Sequence, residues 1–301
     1  MADVFRQRAQ QRWKILASVI KKECLEKDDQ KVSVRRFAGF NLFSKKIVQI
    51  ESELNENEAD YEWVEYRPRA EIATTGNSLD NTLMLIKQRC RKVVLEDLTG
   101  FDNTGNVCLW PSEEVLASYV LKRKDQFCGK AVCELGAGMT GLAGIALAVM
   151  GNPLKVLLTD GNEDCVKNME AVVRQNKSSF GSTIVQSEQV LWEINSDLSH
   201  LESQFDFIIG ADCLFFNQSH YGLLHVIAVL LKEAGFAVIM APQRKDTRET
   251  FCSKASSQFS VEKIENYDPV VWSQHQAAKN EDPLYDEDIH YPMLLLLTKK
   301  N

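Results

Sequence analysis

Three glycines and one acidic residue carry the clearest chemical signal in this chain of 301 residues. Gly136, Gly138 and Gly141 form a GxGxxG pattern that follows a predicted strand and opens a predicted helix. Glycines at such a turn let the backbone approach a ligand, and the helix N-terminus presents free N–H groups. Asp160 ends the next predicted strand, where a carboxylate can bind two ribose hydroxyls. These residues predict a site for a cofactor that contains adenosine, with a purely structural turn as the alternative.

Glu134 lies two residues before the first glycine. A carboxylate at this position would repel a pyrophosphate, but it would attract the ammonium group of S-adenosylmethionine. The position therefore favours S-adenosylmethionine over a dinucleotide. The alternative is that Glu134 faces solvent at the strand end or caps a neighbouring element.

Strands and helices alternate along the chain beyond residue 130. Strands are predicted at 131–135, 155–159, 183–190, 205–211, 236–241, 261–267 and 291–299. Helices are predicted at 140–150, 162–175, 198–201, 220–232 and 248–259, and another begins at Pro111. Such alternation predicts an α/β fold with a mostly parallel sheet, helices on both faces, and a ligand at the carboxyl ends of the strands. Strand-like segments at 61–67, 82–86 and 93–95 precede it.

The net charge of −7 conceals a division along the chain. Twelve basic and five acidic residues give positions 1–50 a charge of +7, so the rest of the chain carries −14. Positions 51–66 hold seven acidic residues and no basic one, which predicts an acidic loop. The basic arm begins with a predicted amphipathic helix at 5–25, which either packs on the main domain or docks on an acidic partner.

Composition excludes several classes of protein. No apolar run approaches the length of a membrane span, and the N-terminus lacks the apolar core of a signal peptide. The eight cysteines form no CxxC pair, so we expect neither a disulfide framework nor a metal site. The acidic balance argues against nucleic acid as a partner. We expect a protein of the cytoplasm, with the nucleus as a second compartment.

Several segments resemble the seven-β-strand methyltransferases, in the branch that methylates protein lysines. The motifs are Glu-Leu-Gly-Ala-Gly at 134–138, Leu-Leu-Thr-Asp-Gly-Asn at 157–162 and Ala-Asp-Cys-Leu-Phe-Phe at 211–216. The segments 32–37, 101–116, 265–268 and 290–295 are similar to the calmodulin-lysine methyltransferase family in particular. The resemblance implies a Rossmann-like sheet of seven strands whose last strand is antiparallel. We divide the chain into an N-terminal α+β extension at 1–100 and a methyltransferase domain at 101–301.

The resemblance also implies functional residues. The residues expected to bind S-adenosylmethionine are Trp110, Glu134, Gly136, Ala137, Gly138, Asp160, Trp192 and Ala211. Each tryptophan has an alternative role as a core aromatic residue. Asp212 is expected to orient the substrate amine. Phe215 stands where the branch usually has tyrosine, so it offers an aromatic face for a methylated ammonium but no hydroxyl.

Methyl transfer to lysine requires a neutral amine. An unperturbed lysine has a pKa of about 10.4, so near neutral pH deprotonation costs about 4 kcal/mol. Alignment of the reactants contributes about 7–11 kcal/mol, so it outweighs that cost. The sequence identifies no dedicated general base.

Calmodulin, the substrate that the resemblance implies, is acidic. The basic arm is suited to attract it, so we expect Arg35 and Arg36 to contribute to docking on a monomeric enzyme. One alternative is an adaptor that binds calmodulin without catalysis. A second is an NAD-dependent oxidoreductase, although the chain has no Tyr-x-x-x-Lys to accompany a serine in a hydride-transfer site.

Overall fold

A computed structural model describes residues 37, 39–50, 60–70, 72, 83–90 and 108–300. The predicted helix at 5–25, most of the acidic loop, the strand at 93–95, and Arg35 and Arg36 lie outside these residues. Within them, no helix is long and apolar enough to cross a membrane.

The larger sheet has seven strands, and it confirms the predicted fold class. Its strands are β4 (Ala131–Leu135), β5 (Lys155–Asp160), β6 (Ile184–Gln189), β7 (Phe205–Ala211), β8 (Leu231–Ala241), β9 (Phe259–Ile264) and β10 (Met293–Lys299). The strand order is β6-β5-β4-β7-β8-β10-β9. Every neighbouring pair is parallel except those of β10, which is antiparallel to β8 and β9. The chain reverses its strand order between β4 and β7, where ligands of such sheets bind.

Helices cover both faces of this sheet. They are α1 (Pro111–Lys122), α2 (Lys124–Phe127), α3 (Leu142–Met150), α4 (Glu163–Asn176), α5 (His220–Leu230), α6 (Thr247–Ala255), α7 (Pro269–Glu281) and α8 (Glu287–His290). The first core cluster contains buried residues of α1, α3 and α4, and the second contains those of α5 and α6. The predicted 198–201 helix is a short 3-10 turn at Ser199–Leu201.

A smaller antiparallel sheet precedes the first core helix. Its strands β1 (Phe43–Val48), β2 (Tyr61–Pro68) and β3 (Met84–Arg89) pair in chain order. Asn176 on α4 exchanges two hydrogen bonds with the backbone of Leu85, at 2.9 Å and 2.7 Å. Buried residues of this sheet share one core cluster with α1 and α3. The N-terminal part described here is therefore packed as one body with the larger sheet.

Candidate functional site

The glycine loop between β4 and α3 has the backbone conformation that its sequence predicts. Gly136 and Gly138 have φ angles of +68° and +60°, in the left-handed region that favours glycine. The N–H of Ala137 donates to the carbonyl of Thr159 at 2.9 Å, which ties the loop to β5. A Cβ atom at Gly136 would lie 3.1 Å from two ring carbons of Trp192. The loop therefore has no room for a side chain at this position.

Asp160 lies beside this loop, as expected. Its Oδ2 accepts a hydrogen bond from the N–H of Gly138 and its Oδ1 accepts one from Asn162, both at 2.9 Å. The residue is 8% exposed at the end of β5. Each carboxylate oxygen has further acceptor capacity, so the group can also accept from ligand hydroxyls.

Glu134 lies at the end of β4, directly before the glycine loop. The side chain is fully buried, and Oε2 accepts a hydrogen bond from Gly144 in α3 at 2.7 Å. The Glu113 carboxyl is a close neighbour, and Oε1 of Glu134 is buried without a hydrogen-bond partner among the described residues. Burial, and then the neighbouring carboxyl, raise the pKa of Glu134 well above its ordinary value. This carboxyl holds the start of α3, and its contact with a cofactor ammonium stays a prediction.

Glu113 completes this carboxyl pair. It lies on α1, and its Oε1 accepts a hydrogen bond from Ala143 at 2.8 Å. The two carboxyls therefore bind neighbouring N–H groups of α3, whose N-cap, Gly141, supplies no side chain of its own. Burial raises the pKa of the Glu113 carboxyl as well. Glu113 was not among the site residues predicted from the sequence.

Trp192 lies over the glycine loop in the segment that follows β6. Its indole Nε1 is buried and has no hydrogen-bond partner within the described part of the chain. An unpartnered buried donor suits a polar ligand atom. A Cβ atom at Gly222 would overlap the carbonyl group of Trp192, so the glycine lets α5 support this segment.

Asp212 follows Ala211 at the end of β7, and its carboxylate is paired. The Asp212 Oδ2 lies 2.6 Å from Nη2 of Arg244, in the loop after β8. The backbone of Asp212 is left-handed, with a φ of +55°, and its N–H donates to Met240 at 2.8 Å. Burial raises the pKa of the Asp212 carboxyl, while the Arg244 guanidinium opposes that rise. Arg244 was not among the site residues predicted from the sequence.

Two aromatic residues flank this ion pair. The guanidinium carbon of Arg244 lies 5.9 Å from the ring centroid of Trp110 and 6.0 Å from that of Phe215. Trp110 is the N-cap of α1, and Phe215 belongs to the loop after β7. Nε2 of the buried His220 lies 2.8 Å from the carbonyl oxygen of Leu214, so the ring donates to this loop and fixes it.

The two groups of residues form one site. The Cβ of Cys213, next to Asp212, lies 3.9 Å from the position of a Cβ at Gly136. The structure thus places the glycine loop, Asp160 and Trp192 beside the Asp212 and Arg244 pair. Among the described residues, no cluster of three or more His, Cys, Asp or Glu side chains is arranged to hold a metal ion.

Comparisons of the sequence with known proteins identify a family. A family model described as lysine methyltransferase matches residues 94–258. The chain is 31% identical over 307 residues to calmodulin-lysine N-methyltransferase of Arabidopsis thaliana, with 96% of each chain covered. It is 30% identical over 160 residues to protein N-lysine methyltransferase METTL21A of Danio rerio, covering 53% of this chain and 71% of that one. The solved structure of the MccD protein aligns with a TM-score of 0.45 at 15% identity, over 63% of this chain and 99% of that one.

Proposed function

The chain belongs to the lysine methyltransferase family, and from this premise we propose that it transfers methyl groups from S-adenosylmethionine to a lysine side chain of calmodulin. The observation that carries the substrate assignment is the extent of one similarity. The match to calmodulin-lysine N-methyltransferase covers 96% of both chains, and so it includes the N-terminal part as well as the sheet domain. Family membership does not favour a non-catalytic adaptor or an oxidoreductase.

The residues of the glycine loop fit the proposed cofactor. The left-handed turn at Gly136 keeps side-chain atoms out of the gap between the loop backbone and Trp192, and Asp160 has acceptor capacity for ribose hydroxyls. The unpartnered Nε1 of Trp192 adds a donor beside them. The backbone of Ala137 and Gly138, which is held by hydrogen bonds to Thr159 and Asp160, is the part of the loop that can approach the cofactor closely. When bound, S-adenosylmethionine supplies a methyl group on a positively charged sulfur and leaves as neutral S-adenosylhomocysteine.

The Asp212 side of the site fits the lysine. The substrate Nζ forms its new bond with a lone pair, so it must lose a proton to solvent before it attacks. Each methylated product carries a positive charge and has to release a proton before it accepts a second methyl group. Asp212 can orient the N–H groups of the amine, and the faces of Phe215 and Trp110 can line a channel for its methylated forms. Confinement in this channel supplies the alignment on which the reaction depends.

The basic arm supports an acidic protein as substrate. Arg35 and Arg36 come directly before Phe37, whose ring lies 5.0 Å from the rings of both Tyr285 and His290. Between those two residues, Asp288 accepts hydrogen bonds from the backbone of the Arg244 loop. The arm therefore joins the described structure next to the segment that supports the Asp212 ion pair. Long-range attraction between unlike charges raises the rate of encounter with an acidic partner.

Mass spectrometry of intact calmodulin tests this proposal. Unmethylated calmodulin incubated with the enzyme and S-adenosylmethionine should gain mass in steps of one methylene group, and the last step shows how many methyl groups are added. Asp160→Ala should abolish the gain because it removes the acceptor for ribose. Lys167→Ala, an exposed change on the helix that follows β5, should behave as wild type.

Two results would overturn parts of the proposal. Transfer to other proteins but not to calmodulin would reject the substrate, while leaving the enzyme class intact. Failure of the wild-type protein to bind S-adenosylhomocysteine in a thermal-shift assay would reject the cofactor. A monomeric state and a location in the cytoplasm or nucleus stay predictions.

A further inference from the structure

Arg244 is the one residue of this ion pair that sequence reasoning did not assign. Its side chain is 21% exposed and that of Asp212 is 7% exposed, so the contact is largely shielded from water. The Nε of Arg244 is buried without a partner among the described residues. The guanidinium therefore directs one nitrogen at Asp212, and its carbon lies within about 6 Å of the centroids of both aromatic rings.

The backbone holds Arg244 in this position. Arg244 and Lys245 have φ angles of +43° and +66°, which side-chain-bearing residues rarely adopt in succession. The N–H of Arg244 donates to the carbonyl of Asp288 at 2.7 Å, and that of Lys245 donates to Asp288 Oδ2 at 2.8 Å. Residues in such conformations persist where the surrounding structure fixes them, and they concentrate at functional sites.

A lone buried carboxylate would work against methyl transfer. An opposite charge within about 4–6 Å favours the charged form of a titratable group. An unpaired Asp212 would therefore hold the incoming lysine as an ammonium, which has no lone pair for the attack. A guanidinium already bound to that carboxylate cancels most of this effect, while the second carboxylate oxygen stays available to accept an N–H of the amine.

We propose that Arg244 is a positioning residue that neutralises Asp212, so that the site receives the substrate lysine as a neutral amine and its proton passes to solvent. The inference rests on the proposed function, because it requires a lysine at Asp212. It assigns a role in the choice of protonation state, which is separate from binding the cofactor or calmodulin.

Other titratable and charged groups lie around this pair. They are Cys213 on the loop after β7, Lys245, Arg248 and Glu249 after β8, and Asp288 on α8. Asp288 is engaged by the backbone of the Arg244 loop, and Arg248 pairs with Glu249 at 3.7 Å. Burial raises the pKa of the Cys213 thiol to about 12, so this group stays neutral over the range of the test.

The pH dependence of single-turnover transfer tests the proposal. Calmodulin is mixed with enzyme loaded with S-adenosylmethionine, from about pH 6 to about pH 10. Arg244→Met keeps an apolar side chain against the two rings but removes the charge. It should move the midpoint of the profile up by about one to three pH units, with roughly a tenfold loss of rate at neutral pH for each unit.

Three further variants separate charge from structure. Asp212→Asn alone should move the midpoint down, because it leaves the guanidinium unopposed. The double variant Asp212→Asn with Arg244→Met should return it close to the wild-type value. Lys245→Met removes an exposed charge from the next position and should leave the midpoint unchanged. A lower maximal rate of transfer in Arg244→Met, with an unchanged midpoint of the pH profile, would overturn the proposal, because it would indicate a purely structural role for Arg244.

A measurement without substrate separates this inference from the proposed function. The carboxyl carbon of Asp212, assigned by comparison with Asp212→Asn, is titrated by NMR in the wild type and in Arg244→Met. The pKa of Asp212 should be at least about one unit higher in the variant, and an unchanged value would reject the inference even if calmodulin were not the substrate. Absence of transfer to calmodulin by an enzyme with the expected Asp212 titration would instead reject the proposed substrate.

Discussion

Replacing Glu114 with alanine should loosen the N-terminal segment from the methyltransferase domain. The buried carboxylate of Glu114 accepts hydrogen bonds from the backbone N–H groups of Phe40 at 3.0 Å and Leu42 at 2.8 Å. Both of these residues are buried, with exposures of 1% and 2%. The substitution therefore leaves two buried donors without an acceptor.

The size of the effect follows from these two bonds. A hydrogen bond to a charged group contributes about 1.5–3 kcal/mol, so the loss amounts to about 3–6 kcal/mol. That is a large part of the stability of a typical domain, about 5–15 kcal/mol. The segment that contains Phe40 and Leu42 can detach from the domain, and its N–H groups then form hydrogen bonds with water. This detachment limits the loss in the free energy of unfolding. We therefore expect a loss of about 3 kcal/mol, accompanied by local opening.

Urea denaturation and hydrogen exchange measure the two parts of this prediction. Glu114→Ala should lower the free energy of unfolding, and the amides of Phe40 and Leu42 should lose protection. Ten of the twelve basic residues of the arm precede this segment, so KM for calmodulin should also rise at low salt while kcat changes little. Glu163→Ala, in an exposed pair with Lys167, serves as the control and should leave the denaturation midpoint unchanged.

Gly39→Ala tests the same contact from the other side. Gly39 has a φ of +92°, and a Cβ atom there would overlap Oε2 of Glu114. In the double variant Glu114→Ala with Gly39→Ala, the overlap with the carboxylate is absent and only the backbone strain at position 39 remains. The double variant should therefore lose less stability than the sum of the two single changes. Wild-type stability and full amide protection in Glu114→Ala would refute the reasoning.

Three shorter predictions concern the site and the arm. Gly136→Ala should weaken binding of S-adenosylhomocysteine by at least about tenfold in calorimetry, because the left-handed backbone costs a side chain about 1–2 kcal/mol and the Cβ presses on an indole ring. Gly181→Ala, with a φ of +57° and open space, is the matched control and should bind normally. Burial raises the pKa of Glu134. The protonated carboxyl therefore stabilises the folded protein at low pH, and this contribution to the free energy of unfolding is lost as the pH rises through the raised pKa. In urea denaturations at about pH 6 and about pH 9, the free energy of unfolding should fall less in Glu134→Gln than in the wild type. A wild-type free energy of unfolding that is the same at both pH values would contradict this prediction. Neutralising Arg35 and Arg36 should raise KM for calmodulin at low salt only, and an unchanged KM would reject the docking role.

The strands of the larger sheet could be predicted because their sequence signals are local. β4 and β7 have the predicted bounds, since both are apolar runs between turn residues. Helix α7 was missed, because its polar sequence lacks a clear apolar face. Its start did carry a signal: Asp268 caps it through the N–H groups of Val270 and Val271, and Pro269 occupies the first turn.

The local sequence predicts the position of a site residue when that residue acts through its own backbone or lies at the end of a strand. Gly138 and Asp160 are of this kind, and a hydrogen bond joins them in the structure. The roles of Glu113 and Arg244 depend on partners 21 and 32 positions away along the chain, Glu134 and Asp212, and spacing alone does not select such pairs. A charged residue directly after β8, at the carboxyl edge of the sheet, was the available signal for Arg244.

These pairs give the site a charge balance that the total composition does not show. Burial and the neighbouring Glu113 raise the pKa of Glu134, and Asp212 is paired with Arg244, so the centre carries less unpaired negative charge than its residue types suggest. The remainder of the chain beyond residue 50 nevertheless carries −14, which repels an acidic protein. Attraction to such a substrate then has to come from the +7 arm, while deprotonation of its lysine depends on the balanced centre. Changes in the arm should therefore alter KM and its salt dependence, and changes in Arg244 should alter the pH profile of the transfer itself.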